Sequence, residues 1–174
     1  MSSKHKVLIG LLVLVPVVSA FVYISISKSQ KNNNLKEAVP QIEPRIILYV
    51  PSSDDLLEQK TTMIKDFKDS FEMAKALIEK LKEFNVIPRE TRLLHFAGDD
   101  EGTLYLNFSK DLIECQKDFS EVLVVYSIVN TFLANLKKFS RVQLLIEGEA
   151  LQTFGGVLYT YLPLDFNEEI VEEE

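Results

Sequence analysis

Apolar positions fall along the 174-residue chain in three patterns, each predicting a different kind of element. In the first, residues 7–26 (VLIGLLVLVPVVSAFVYISI) form an uncharged run that is apolar on every side. Twenty residues of helix rise about 30 Å, the hydrocarbon thickness of a bilayer. A buried core helix would be apolar over only part of its circumference, so the run predicts a membrane span. Lys4 and Lys6 precede it and Lys28, Lys31 and Lys36 follow, so flanking charge alone does not orient it. A short basic leader ahead of a long polar domain predicts residues 1–6 in the cytoplasm, a transmembrane signal anchor over 7–27, and the rest outside. Val18, Ser19 and Ala20 also resemble a signal-peptide cleavage site, with Pro16 as a breaker. Apolar residues continue through Phe21, Val22, Tyr23 and Ile24, which favours an uncleaved anchor.

Residues 28–44 (KSQKNNNLKEAVPQIEP) follow neither a helical nor an alternating period and predict a flexible linker. As a coil it would hold the next domain about 20–25 Å from the membrane.

The second pattern is a set of short β-branched and aromatic runs bounded by turn residues. Arg45 to Val50 is a strand that enters the turn at Pro51–Asp55, and Leu56 to Ile64 reads as a second, exposed strand with a helix as its alternative. Thr91 to Ala97 and Thr103 to Phe108 form a hairpin around the Gly98–Gly102 turn. Arg141 to Ile146 is a further strand, closed by the turn at Glu147, Gly148 and Glu149. Leu158 to Tyr161 reads as extended chain.

The third pattern is helical. Asp69 and Glu72 make a capping box, after which Phe71, Ala74, Leu77, Ile78, Leu81 and Phe84 share one face. Lys75, Glu79, Lys82 and Glu83 share the other, and Asn85 and Pro88 end the helix. A second helix runs from Ser120 to Leu136 with a broader apolar face through Val122, Val125, Tyr126, Val129, Phe132 and Leu133. The prediction is a two-layer α+β domain over residues 45–164, with two helices on one face of a mixed sheet of five to six short strands. Residues 165–174 form an acidic tail expected to be solvated and frayed, with five glutamates from Glu168 onward.

Charge sharpens this division. The whole chain carries −7, but residues 45–174 hold 14 Lys+Arg against 24 Asp+Glu, a net −10. Such a domain repels phosphate backbones, so nucleic acid is not an expected partner. The single cysteine, Cys115, excludes an internal disulfide, and with only His5 and His95 beside it, a clustered Cys/His zinc site.

No catalytic set can be assembled, and no cofactor or metal is expected. His95 lies within a strand and lacks a partner. Asp99, Asp100 and Glu101 before Gly102 supply too few oxygens for calcium, which takes six to eight. Gly155 and Gly156 lack the strand–glycine–helix context of a phosphate cradle and predict a bend. Ser127, Asn130 and Thr131 share a helix face without an adjacent base; they predict either a structural role, such as Asn130 bonding the backbone of a neighbouring loop, or a contact surface.

Residues 102–109 (GTLYLNFS) resemble the G-x-L-x-V-D-x-S hairpin of the GerMN domain, a family named for sporulation and spore germination proteins. Residues 126–131 (YSIVNT) are similar to its Y-S-x-V-N-T helix. Residues 142–148 (VQLLIEG), followed by Gly155 and Gly156, are similar to its V-x-x-V-x-x-L-I-x-G … G-G close. Leu48 to Pro51 and the Ile87-Pro88 step after the first helix also fit, so the resemblance spans about Arg45 to Leu164. It implies an extracytoplasmic bacterial domain, α/β in fold and related in shape to ring-building motifs, that acts by protein contacts in the envelope and is not known as an enzyme. Asn107 stands where the family often has Asp, and a hydrophobic anchor replaces the lipid-attachment cysteine of the spore-former proteins.

The expectation is therefore a single-pass membrane protein whose soluble domain, on the periplasmic or cell-wall side, contacts envelope proteins or its own copies. The alternative is a module that binds cell-wall glycan or peptide, with Tyr105, Tyr159 and Tyr161 as candidates. The binding residues are not located. An exposed sheet edge and the sheet face away from the helices both remain open.

Overall fold

Strand pairing divides the domain's strands into two sheets rather than one. The structure, a computed structural model, describes residues 45–64, 67–114 and 119–173. The leader, the anchor over 7–27 and the linker over 28–44 lie outside the described residues, as does Cys115. Glu43–Glu174 forms one compact unit. Among the described residues no helix is long and apolar enough to cross a membrane.

The elements run β1 (Arg45–Pro51), β2 (Leu57–Met63), α1 (Ser70–Glu83), β3 (Leu93–Gly98), β4 (Thr103–Phe108), α2 (Asp111–Glu114), α3 (Glu121–Asn135), β5 (Arg141–Ile146) and β6 (Leu164–Asp165). β1 and β2 form an antiparallel pair, and a separate sheet has the order β3-β4-β5-β6. Within it β4 and β5 are parallel and the outer pairs antiparallel. The segment at 56–64 is a strand, which resolves its helix alternative. The expected single sheet of five to six strands is corrected to two sheets, of two and four strands, and α2 is an added third helix.

The reason lies at the edge of β1. Its neighbour there is the side of α3, not another strand. Asn135 of α3 accepts from the Ile47 N–H at 3.0 Å and donates to the Ile47 carbonyl at 2.6 Å. One turn earlier, Thr131 Oγ1 accepts from the Tyr49 N–H at 2.9 Å. Two polar side chains spaced i, i+4 thus take up backbone groups that a neighbouring strand would otherwise hold.

Local signals explain both long helices. The Asp69 carboxylate accepts from the Glu72 N–H at 2.8 Å, while Glu72 reaches back to the Lys68 N–H at 3.0 Å. At the other end Asn85 takes φ +55°, with Asn85 N–H bonded to the Lys82 carbonyl and Val86 N–H to that of Leu81. This is a Schellman closure with Asn at the left-handed position. Ser120 caps α3 through the Leu123 N–H.

The core gathers Ile46, Leu48 and Val50 of β1, Leu77 and Leu81 of α1, Leu104, Leu106 and Phe108 of β4, Ile128 and Phe132 of α3, and Val142 and Leu144 of β5. Each large side chain among them contributes roughly 1.5–3 kcal/mol of burial.

The acidic tail is not frayed, contrary to the compositional expectation. Leu57 N–H bonds the Ile170 carbonyl at 2.7 Å and Glu172 N–H bonds the Leu57 carbonyl at 3.0 Å, so the tail pairs with β2 at one residue. Ile170, Val171 and Phe166 pack with Tyr49 and Leu57, and the Tyr49 and Phe166 rings meet edge to face at 5.3 Å. Three apolar residues among the glutamates hold this segment down, while Glu168, Glu169 and Glu173 stay exposed.

Candidate functional site

The residue types that could carry chemistry are kept apart. His95 is exposed on β3, the outer strand of its sheet. Ser127 is fully buried and its Oγ has no hydrogen-bond partner among the described residues, so no base activates it. Asn130 is tied to the tail: it donates to the Asn167 carbonyl at 2.8 Å and accepts from the Asn167 N–H at 3.0 Å. Asn130, like Thr131 and Asn135, holds backbone, which is a structural role.

Asp99 is likewise structural. One of its oxygens accepts from the Glu101 and Thr103 N–H groups and the other from the Tyr105 hydroxyl at 3.0 Å. The Thr103 bond is the main force holding its carboxyl below the ordinary value, and the Asp99 acceptor in turn raises the Tyr105 phenol. Among the described residues no group of three His, Cys, Asp or Glu could hold a metal ion.

Gly155 and Gly156 form a bend that wraps a carboxylate of this same chain. Glu121, the first residue of α3, accepts from the Phe154 N–H and the Val157 N–H, each at 2.7 Å. Burial pushes the Glu121 carboxyl up, but the N–H groups of Gly155, Val157, Phe154 and Leu158 outweigh it and hold the group below its ordinary value. A Cβ at Gly155 would stand 3.2 Å from a Glu121 oxygen. The close approach of backbone to carboxylate is what glycine permits there.

Beyond this clamp the chain runs past β5 as a strap. Val142 and Leu144 of β5 face the core, so Gln143 between them faces the other way. It is nevertheless buried, because its amide donates to the Thr160 carbonyl at 3.1 Å. Thr160 is pinned further by its N–H to Gln152 and its hydroxyl to Leu151. With Thr160 turned in, its neighbours turn out. Val157 is 73% exposed, Tyr159 54%, Tyr161 51% and Leu162 58%. Half of the eight large exposed hydrophobic side chains of the described domain thus lie within six consecutive residues.

Of the three candidate tyrosines, the structure brings two together. Tyr159 and Tyr161 stand side by side with ring centroids 6.3 Å apart, whereas the Tyr105 hydroxyl is committed to Asp99. Sequence reasoning missed Glu121 as the clamp, Asn135 as the seal on β1, and the exposure of Val157 and Leu162. Only the alternation from Val157 to Tyr161 carried a signal, since it predicts one row out and one row in.

Two concavities lie on the surface of the described residues. One, of about 410 Å³, runs between Tyr126 and residues 163–169 and is acidic through Asp165, Glu168 and Glu169. The other, of about 280 Å³, lies between α1 and the start of β3.

The domain is a two-sheet α+β fold carrying a strap pinned through Gln143 and Thr160. Residues 47–152 match the family described as Germane, sporulation and spore germination, and the chain belongs to that family. The first GerMN domain of the sporulation protein GerM from Bacillus subtilis is 19% identical, with a TM-score of 0.54 over 71% of this chain and 96% of that one. The tandem GerMN domains of the same protein are 20% identical, with a TM-score of 0.56 over 71% of this chain and 45% of that chain. At these identities the likeness is one of fold. No curated protein matches the chain.

The family resemblance also accounts for Asn107. Its side-chain oxygen accepts from the Gly148 N–H at 2.8 Å, in the turn where Glu147 and Gly148 both take positive φ. An Asp at that position offers the same acceptor, so the departure from the family pattern preserves the bond.

Proposed function

We propose that this protein is a membrane-anchored, non-catalytic GerMN domain that makes protein–protein contacts in the bacterial cell envelope, of the sporulation or germination type found in its relatives. The observation that carries the reading is the strap: four large apolar side chains held outward by a backbone bonded at Glu121, Gln143, Leu151 and Gln152. Such a surface loses little conformational entropy on docking, and tyrosine is among the residues that dominate interface energies. The uncharged run at 7–26 supports retention at the membrane, with the domain outside.

A second reading, a binder of cell-wall glycan or peptide, draws on the adjacent exposed rings of Tyr159 and Tyr161. The rings are inclined by 46° to each other, which makes a poorer platform for a flat sugar face than coplanar rings would.

The test is site-specific photo-crosslinking at position 159 of the full-length protein in its own membranes. The expected result is a discrete protein adduct that disappears in a Val157→Ser/Tyr161→Ser variant. Retention on purified cell wall with no protein adduct would replace the protein-contact reading with the glycan one.

A further inference from the structure

We propose that the open edge of β3 and the cationic cavity beside it form a docking site for an extended, acidic peptide segment of a partner protein. This site is distinct from the strap and rests on different residues.

Exposed strand edges invite pairing, and proteins blunt them with charge, proline, shortness or cover. Three of the four edges here are managed in one of these ways. β1 is sealed by Thr131 and Asn135. β2 carries the Glu58–Lys60 ion pair and is bridged by the tail at Leu57. β6 is two residues long. β3 is six residues long, LLHFAG, with no charge and no proline, and among the described residues it pairs with β4 alone. Its guards are the register shift between Leu93 and His95, beside which Leu94 stands 39% exposed, and the Phe71 ring of α1, whose centroid lies 6.0 Å from that of Phe96.

The ladder shows which backbone groups are offered. Asp99 N–H bonds the Thr103 carbonyl, so opposite residues alternate from there: Ala97 and His95 turn toward β4, and Gly98 and Phe96 turn outward. An added strand would find its bonds at Phe96 and Gly98.

The cavity of about 280 Å³ lies where that strand begins. α1 contributes Lys75, Ile78, Glu79 and Lys82, and Arg92 lines it with its two chain neighbours. The four α1 positions are spaced i, i+3, i+4 and i+7 and so share one face. Lys82 is paired with Glu79 at 2.7 Å, but Lys75 and Arg92 form no ion pair among the described residues. The Lys75 ammonium instead lies 4.2 Å from the centre of the Phe71 ring. Two uncompensated cations in a domain of net charge −10 make a local inversion of sign. Ile78 gives the lining an apolar member, and Thr91, also in the lining, holds one of the two buried hydroxyls without a partner among the described residues.

Backbone pairing along β3 would supply affinity, and a carboxylate meeting the Arg92 fork and the Lys75 ammonium would select acidic sequences. The carboxylate belongs at the end of the added strand that lies beside Leu93.

The probes are three synthetic ten-residue peptides of alternating valine and threonine, ending in two glutamates, two lysines or neither. Each is added to the full-length protein in detergent, with amide hydrogen exchange as the readout. The glutamate-ended peptide is expected to slow exchange at Phe96 and Gly98 and to bind at least tenfold more tightly than the other two. In a Lys75→Glu/Arg92→Glu variant, whose changes are both on exposed side chains, that preference reverses toward the lysine-ended peptide while the melting temperature holds. A Tyr159→Ser variant leaves the preference untouched, which separates this site from the strap. Absence of protection on β3 with every peptide would overturn the proposal. So would equal binding of all three, or β3 protection that grows with protein concentration alone, since a second copy would then cover the edge.

Discussion

The two long helices differ in almost everything except length, and the difference locates the centre of the domain. α1 buries one stripe, Ala74, Leu77, Ile78 and Leu81, and leaves its far side to exposed ion pairs such as Lys80–Glu83. α3 is buried nearly all round, from Leu123 to Ala134, including Ser127, Asn130 and Thr131. One face of α3 joins the core shared with β1, β4 and β5 through Val125, Ile128, Val129 and Phe132. Its other face is polar and equally buried, because it holds the backbone of β1 through Thr131 and Asn135 and that of the tail through Asn130. Polar residues on α1 meet water, whereas polar residues on α3 replace strand neighbours.

Substitutions should therefore separate the two helices cleanly. The largest effect is expected for Asn135→Ala, which strips the Ile47 N–H and carbonyl of their partner; urea unfolding should show a loss of about 2–4 kcal/mol. Thr131→Val keeps the shape and removes the bond to Tyr49, for a loss of about 1–2 kcal/mol in the same assay. On α1, Asp69→Ala removes the cap and should cost about 1 kcal/mol, whereas Glu79→Ala on its exposed face should stay within about 0.5 kcal/mol. If Glu79→Ala proved as costly as Asn135→Ala, the distinction between the helices would collapse.

At the start of α3 the Glu121 clamp gives a pH signature. Its folded pKa lies below the ordinary 4.5, so its contribution is complete above that pH and is lost as pH falls through the lowered value. Thermal melts from pH 6 to 3 should fall less steeply for Glu121→Gln than for the parent, and exchange at Val157 should rise in the variant at neutral pH. Ser127→Ala should not cost stability. Its hydroxyl is buried without a partner among the described residues, so removal should leave stability unchanged or raise it by up to about 1 kcal/mol. A marked loss there would reveal a partner for Ser127.

Legibility in the sequence followed the range of the interaction. The capping box at Asp69 and Glu72, the cap at Ser120 and the left-handed Asn85 act within a few residues, and the chain displays them directly. The alternation in β4 and β5 likewise foretells which side chains enter the core. At the candidate site Tyr159 and Tyr161 could be named from residue type and spacing, but not the clamp that fixes them: Glu121 and Val157 are 36 residues apart. The tail misled because composition counts five glutamates, while Ile170 and Val171 determine where the segment rests.

Sequence by itself determined the apolar run at 7–26, the acidic character of the domain, the two long helices and strands β1 to β5 and, through their order, its family. Tertiary structure alone decided the grouping of strands into two sheets, the edge left open at β3, and the outward turn of Val157, Tyr159 and Tyr161. The physical reason is that elements arise from local backbone preference and periodic burial, which the chain encodes within a turn or two. Sheet membership depends instead on which distant group satisfies each buried N–H and carbonyl. At β1 that group was an asparagine 88 residues away.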